Sequence, residues 1–484
     1  MPGTFFGLEI ARRGLQAHRA AMDVTAHNVA NANTPGYTRQ EAVMAATDPY
    51  CNPTLGTQLT PGQLGTGVLA AAVRRIRNEY LDVQVRDTLS SKEYWRVQEE
   101  IFARVEAVFP EPATDGISSL LTKFFNTWQD LNNTPQDPGV KAAVAEVGDE
   151  LATMMREAYK QLEDIAGSIV KKVDSSTNEV KSGLLKDQVD AVNDILKQIR
   201  ELTEAIKRVY AQGNQPNDLL DKRDMLLDRL AEYGPVSVKF TTENGKPTGE
   251  IEELKFLGVE VIADGEWGEV AVSYDPQSGT VEFTVGEKAV EQEGYAGSLK
   301  GLAAVLGKVK DYAGTLSSLS EALRDAVNGA LDQEFFVKDG SLAEGTFAVH
   351  GDILSAPSTI NGERALYVAR LATIGMDGEE KVLGRDAQGN DITISTPDLG
   401  GATFSEYFNA LLADIGARSG TASEMSKTQG AVYEQLEGLR QSVSGVNLDE
   451  ELSRLIQYQY GYQASARVLA AVDEMLDYLI NRML

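Results

Sequence analysis

Near the N-terminus, apolar side chains recur at strict intervals of seven: Leu8, Leu15, Met22 and Val29, with alanines at 11, 17, 20 and 21 between them. That spacing keeps one narrow seam turned toward a partner helix, as in a coiled coil. At the other end Leu448, Leu452, Leu455, Gln459, Tyr462, Ala466, Leu469, Val472, Leu476, Leu479 and Met483 step by three or four, with Gln459 the one polar interruption. Ordinary core helices carry the same stripes. What points to mutual pairing is their position at opposite ends of the chain.

The interior has a nested pattern. Helical periodicity runs from about Val140 to Gln212, clearest at Val192, Ile195, Ile199, Leu202, Ile206 and Val209. Residues 213–216 break it, and Asn217 is expected to cap a second helix with apolar Leu219, Leu220, Leu226, Leu227 and Leu230, stopped by Gly234-Pro235. The period then falls to two at Val236, Val238 and Phe240, at Val270, Val272 and Tyr274, and at Val281, Phe283 and Val285, with a hairpin turn expected at Asn244-Gly245. Helical spacing resumes at Leu299, Leu302, Val305, Leu306 and Val309. A glycine-rich mixed segment near 335–403 and further helices complete the chain.

The predicted fold is therefore mainly α with an inserted β-domain. Paired terminal coiled-coil helices occupy 1–60 and 441–484. A long-helix bundle body covers 61–235 and 296–440, and a small β-rich domain at 236–295 lies farthest from the termini.

Charge refines the pairing. Residues 1–40 carry Arg12, Arg13, Arg19 and Arg39 against Glu9 and Asp23. The last forty residues carry Asp449, Glu450, Glu451, Asp473, Glu474 and Asp477 against three arginines. Such flanks set register while the apolar seam supplies adhesion.

Composition narrows the function. A chain of 484 residues exceeds one core, and 42% apolar with 24% charged residues is the range of folded protein. The 72 acidic against 45 basic residues give a net charge of −27, which disfavours nucleic acid and anionic lipid. No apolar run is long enough to insert in a membrane, and the first residues lack the apolar core of a cleaved secretory signal. The single Cys51 and the scattered His18, His27 and His350 give no metal-binding spacing, so no metal or cofactor is expected.

Catalytic patterns are poor as well. Gly65-Thr66-Gly67 is a lone turn-like G-x-G. Gly301–Lys308 lacks the hydroxyl of a phosphate loop, because Val309 follows. Asp218, Asp221, Asp224 and Asp228 read as the solvated face of an amphipathic helix. His27 has no carboxylate at a useful spacing nearby and reads as structural. No enzyme is expected.

The strongest local signal is His27-Asn-Val-Ala-Asn-Ala-Asn-Thr-Pro-Gly-Tyr-Thr-Arg-Gln40. Asn28, Asn31 and Asn33 can bond nearby backbone, Pro35 forbids further helix, and Gly36 permits the positive φ of a type II turn. Tyr37 and Arg39 then leave on an extended segment. A generic helix–turn–strand junction explains the Pro and Gly, but not three asparagines with a Tyr-Thr-Arg-Gln flank.

This stretch, with residues 7–26 before it, resembles the N-terminal signature of bacterial flagellar axial proteins, the rod, hook and hook-associated family. Ser444–Leu452, Tyr458–Arg467 and Val472–Asp477 agree at the other end. Ile117–Trp128 and Asn217–Asp224 are similar to the hook-associated protein 1 branch of that family. Thr38 stands where Ser is usual, and Asn78-Glu79-Tyr80 where an aspartate is commoner. The resemblance is weak over 236–295 and 335–400.

The resemblance implies a structural subunit of the junction between hook and filament, located on the extracellular flagellum and exported by the flagellar type III pathway without a cleaved signal. It implies copies of the chain in a ring or tube, with hook protein and hook-associated protein 3 as neighbours. It also implies an export chaperone on the C-terminal helix. The terminal helices would form the inner tube and the β-domain the outer surface. The expected assembly residues are those of the two seams together with Asn28, Asn31, Asn33, Pro35, Gly36 and Tyr37. Alternatives are another axial protein (rod or hook) or, in a different class, an acidic secreted cell-wall hydrolase with a carboxylate pair in an apolar pocket.

Overall fold

A computed structural model describes residues 6–49, 65–110, 116–243, 246–263, 266–276, 278–291, 296–385 and 391–481. The helices are α1 (Phe6–Ala30), α2 (Glu79–Val108), α3 (Ile117–Asn133), α4 (Pro138–Ile169), α5 (Leu184–Ala211), α6 (Asn217–Tyr233), α7 (Ser298–Leu331), the short α8 (Gly351–Ser355) and α9 (Ala365–Arg370), α10 (Phe404–Ser444) and α11 (Leu448–Asn481). The fold is mainly α with small sheets, as the periodicity predicted. Two compact units are formed, one from residues 1–89, 192–267 and 430–484, the other from 90–191 and 268–429.

The first unit holds both chain ends, and α1 lies antiparallel along α11. After α1 the chain turns into β1 (Gln40–Ala46), which pairs with β2 (Val68–Arg75) across a bulge at Val43/Met44. This ribbon rests against α1. Strands 236–243 and 246–256 form an antiparallel hairpin whose Leu254 and Phe256 are fully buried. Its Asn244-Gly245 tip lies outside the described residues.

The second unit is a helical body. In α4, Asp137 caps the N-terminus by accepting from Gly139 N at 2.7 Å, and Pro138 occupies the first turn, where no amide proton is needed. Along α7 the three-four spacing continues past Val309 to Leu331, with one face buried throughout. The core is aromatic: Phe124, Trp128, Phe335, Phe336 and Phe347 meet at ring separations of 5.0 to 6.1 Å. Such edge and offset contacts add to the area they bury.

Three expectations are corrected. The helix expected from Val140 to Gln212 is two, α4 and α5, separated by a short strand pair, Lys172–Val173 with Val180–Ser182. There Asp174 accepts from Ser176 and Asn178 adopts φ +56°, which makes a turn where apolar periodicity had suggested continuity. The β-rich segment 236–295 is divided between the units: 236–267 belongs to the first, and Val270–Asp275 with Thr280–Val285 to the second. That second sheet is tied by main chain to the 174–179 turn, Tyr274 N donating to Asn178 O at 2.8 Å, so it docks on the strand pair between α4 and α5. Finally, Asn217 does not cap α6; its side chain is used elsewhere, as shown next.

Candidate assembly site at the joined chain ends

The seam between α1 and α11 is built from small residues. Ala11, Gly14, Ala17, Ala21, Thr25 and Asn28 are the buried positions of α1, whereas Leu8, Leu15, Met22 and Val29 are half-buried beside them. The heptad reading thus found the correct side of the helix but the wrong line along it. Small side chains let two backbones approach closely, and larger neighbours then close over the edges.

On α11, Leu455, Leu469, Val472 and Leu476 are half-buried along the seam. Leu448, Leu452 and Tyr462 are not in it; they are exposed at 45%, 47% and 38%, on the same helix as exposed Ile456, Val468 and Met475. The correction is geometric. Eleven positions at three-four spacing drift around a straight helix, and one partner helix covers only part of that band. The side chain of Leu479 and residue Met483 lie outside the described residues.

The signature at 27–40 folds into a polar knot. Tyr37 N bonds Thr34 O at 3.2 Å, Gly36 sits at φ +75°, and Pro35 and Gly36 form the centre of the expected type II turn. Asn28, 1% exposed, uses all its capacity. Its Nδ2 donates to Gln40 O and to Glu451 Oε2, each at 2.8 Å. Its Oδ1 accepts from the Tyr37 hydroxyl at 2.8 Å and from Gln40 N at 3.0 Å. Asn31 caps locally, donating to His27 O at 3.0 Å, while Asn33, Thr34 and Pro35 are exposed.

Glu451 was missed by sequence reasoning. It is 1% exposed, and its other oxygen accepts from Arg39 Nε at 2.8 Å. Arg39 Nη2 also lies 2.8 Å from Glu450, and its backbone N donates to Ser444 O at the C-terminal end of α10. Glu450 holds the Arg39 guanidinium above its ordinary value against the opposing effect of burial, and Arg39 holds the Glu450 carboxyl below its own.

Beneath this knot, α6 contributes the acids that had read as a solvated face. Asp221 and Asp224 are instead 6% and 7% exposed. Asp221 accepts from Thr38 N at 3.0 Å and from Arg75 at 2.8 Å. Asp224 accepts from Arg75 at 2.7 Å and from Arg77. Asp228 takes Arg86 and Arg440, each at 2.7 Å.

Burial alone would push the Asp224 carboxyl up, but Arg77, Arg75 and Arg86 outweigh it and hold the group below its usual value. Arg223 lies under the sheet, 4.3 Å from the Phe240 ring, and burial pulls it down to about 10. Tyr37 is pushed up by burial and by Asp218, Asp221 and Glu451. Asn217 donates to Gln40 Oε1 and to Val73 O, and Gln40 donates to Asp218. His27 does meet a carboxylate, Asp218 at 3.3 Å, supplied from 191 positions away.

Asp221, Asp224 and Asp228 are each paired with arginine, so the centre of the site is a buried ion-pair network. Among the described residues no cluster of histidine, cysteine or acids is arranged to hold a metal ion. Among them, too, no helix is long and apolar enough to cross a membrane.

Comparison with known proteins bears on the same regions. Residues 102–347 match the family model of the flagellar hook-associated protein FlgK helical domain. Residues 8–38 match that of the flagella basal body rod protein, and residues 440–483 that of the flagellar basal body rod FlgEFG protein C-terminal. The chain is similar to flagellar hook-associated protein 1 of Bacillus subtilis (strain 168), at 29% identity over 517 residues, covering 100% of this chain and 99% of that protein. It is likewise similar to flagellar hook-associated protein 1 of Escherichia coli (strain K12), at 24% identity over 97% of this chain and 98% of that protein. The solved structure of the flagellar hook junction protein FlgK from Burkholderia pseudomallei shares the fold. Its TM-score is 0.52 at 15% identity, over 75% of this chain and 100% of that one.

Proposed function

The chain belongs to the flagellar hook-associated protein FlgK family and is a structural, axial subunit of the bacterial flagellum at the hook–filament junction, and we propose that its α1/α11 pair is the element through which copies assemble. A rod or hook protein is not favoured, because the central 102–347 region follows the FlgK helical domain. A hydrolase is not favoured either, and we assign no catalytic activity.

The observation that carries the assembly role is the half-covered α11. Its seam faces α1, yet Leu452, Ile456, Val468 and Met475 remain 47% to 59% exposed on a strongly acidic chain. Exposed apolar side chains along a long helix, here on both flanks of its seam, are the mark of an interaction surface. In our reading, neighbouring copies in a ring or tube cover it. The assembly residues are then Leu452, Tyr462 and Leu448 between copies, and Leu8, Leu15, Met22, Val29, Leu455, Leu469, Val472 and Leu476 at the seam edges. Asn28, Asn31, Pro35, Gly36 and Tyr37 fix the exit from α1.

The finer placement belongs to the same proposal. The terminal pair lies toward the inside of the tube. Hook protein and hook-associated protein 3 are the axial neighbours. An export chaperone holds α11 before assembly, and export proceeds without a cleaved signal.

The test is a strain lacking the gene. Electron microscopy should show hooks without filaments, with filament subunits released unpolymerised into the medium, and the full chain should restore filaments. Normal filaments in that strain would overturn the reading.

A further inference from the structure

The seam between α1 and α11 has a single unbroken register. Four contacts mark it: Gly7 on Val472, Gly14 on Ser465, His18 on Gly461, and Asn28 on Glu451. From Gly7, steps of seven, four and ten along α1 are matched by steps of seven, four and ten backward along α11. Yet the seam itself does not specify that alignment. A heptad repeat of leucines beside a line of alanines and glycines looks the same after a slide of one heptad. Something must break the degeneracy.

We propose that the His18 imidazole seated over Gly461 is the register key of the terminal pair, with the Asn28–Glu451 bond as its second point. Gly461 is the one glycine in α11. A Cβ built on it would lie 2.5 Å from the His18 ring, closer than real contacts permit. The ring also faces Tyr458 one turn away, at 6.4 Å between centroids. Its Nδ1 is sealed from solvent with no hydrogen-bond partner among the described residues, so the ring is held by shape and not by polar bonding.

A slide of one heptad puts Arg454 or Val468 under His18, and a slide of one turn puts Gln457, Tyr458, Ala464 or Ser465 there. Each of these carries a Cβ where Gly461 has none. The same slide carries Glu451 away from Asn28 and strands a buried carboxylate. The knob and its notch therefore act chiefly by penalising wrong alignments. This inference rests on the assembly role assigned to the terminal pair.

The experiment uses the full chain expressed in the strain lacking the gene, with Cys51→Ser as background. Gly14→Cys with Ser465→Cys reports the native register, since a Cβ on Gly14 lies 3.6 Å from that of Ser465, within disulfide range. Gly14→Cys with Val472→Cys reports a slide of one heptad. Gly461→Val should lower the native crosslink about tenfold, the scale of an overpacked contact, raise the slipped one, and abolish filaments. Adding His18→Ala to Gly461→Val should restore both native crosslink and filaments, while His18→Ala alone should permit both crosslinks.

Gly461→Ala supplies a milder step in the same direction, and melting of the purified variants checks that the helical body is intact. A normal native crosslink in Gly461→Val, or a defect that His18→Ala does not relieve, overturns the proposal. Failure of the unmodified chain to restore filaments would instead count against the assembly reading.

Discussion

The amide of Asn28 donates to the carboxylate of Glu451 at 2.8 Å, joining residues 423 positions apart in a site where both are 1% exposed. Because Arg39 bonds the other oxygen of Glu451, the first helix, the turn after it and the start of the last helix share one buried ion. Removing one partner from such a site leaves the rest desolvated and unsatisfied, which costs more than the bond itself contributes.

Asn28→Asp should therefore be worse than Asn28→Ala. The alanine forfeits hydrogen bonds worth about 1–3 kcal/mol, whereas the aspartate adds a second carboxylate against Glu451. Glu451→Gln should be milder than Glu451→Ala. Filament number per cell across these four variants checks the order, and equal loss for Asn28→Asp and Asn28→Ala would refute the charge argument.

Asp224 gives a pH signature. Its carboxyl is held below its ordinary 3.8 in the folded chain, so the stabilisation is complete above that value and is lost as the pH falls through the lower folded pKa. Melting temperatures of the purified chain should fall steeply below about pH 4. Asp224→Asn should be less stable at neutral pH and lose less on acidification. Asp224→Ala, which strands Arg75 and Arg77, should cost about 3–5 kcal/mol.

The turn at Pro35-Gly36 is strained for any other residue. Gly36 has φ +75°, and a Cβ there would touch Met225 at 3.4 Å. Gly36→Ala should destabilise by about 1–3 kcal/mol, while Pro35→Ala, at an exposed position, should cost less than about 1 kcal/mol. Denaturant unfolding of the first unit, followed by hydrogen exchange at β1, distinguishes them.

Leu452 and Leu469 separate the two faces of α11. Leu452→Asp should leave the melting of the free chain unchanged yet block incorporation, because Leu452 is 47% exposed before assembly. Leu469→Asp places a charge at the half-buried seam and should disturb both the pairing with α1 and incorporation. Immunogold counting at hook tips, beside thermal melts of the same proteins, checks both outcomes. Normal incorporation of Leu452→Asp would remove the case for the exposed apolar side chains of α11 as a contact surface.

Local order was largely written in the chain. The periods of 3.6 and 2, the Pro-Gly turn and the pairing of the two ends follow from backbone geometry and apolar spacing, which neighbouring residues suffice to reveal. The tertiary structure decided what each polar group would face. Asp221 and Asp224 have the helical spacing of a solvated face, and nothing near them in sequence shows that Arg75, Arg77 and Arg86 will arrive opposite. Glu451 reads as one acid among three at the start of α11 until Asn28 and Arg39 close over it. The seam likewise ran through Ala11, Gly14, Ala17 and Ala21 rather than the leucines, because only the facing helix determines how closely two backbones pack. Periodicity reports which side of an element is apolar; burial of a charge or a glycine depends on partners hundreds of residues away, and only the folded chain supplies them.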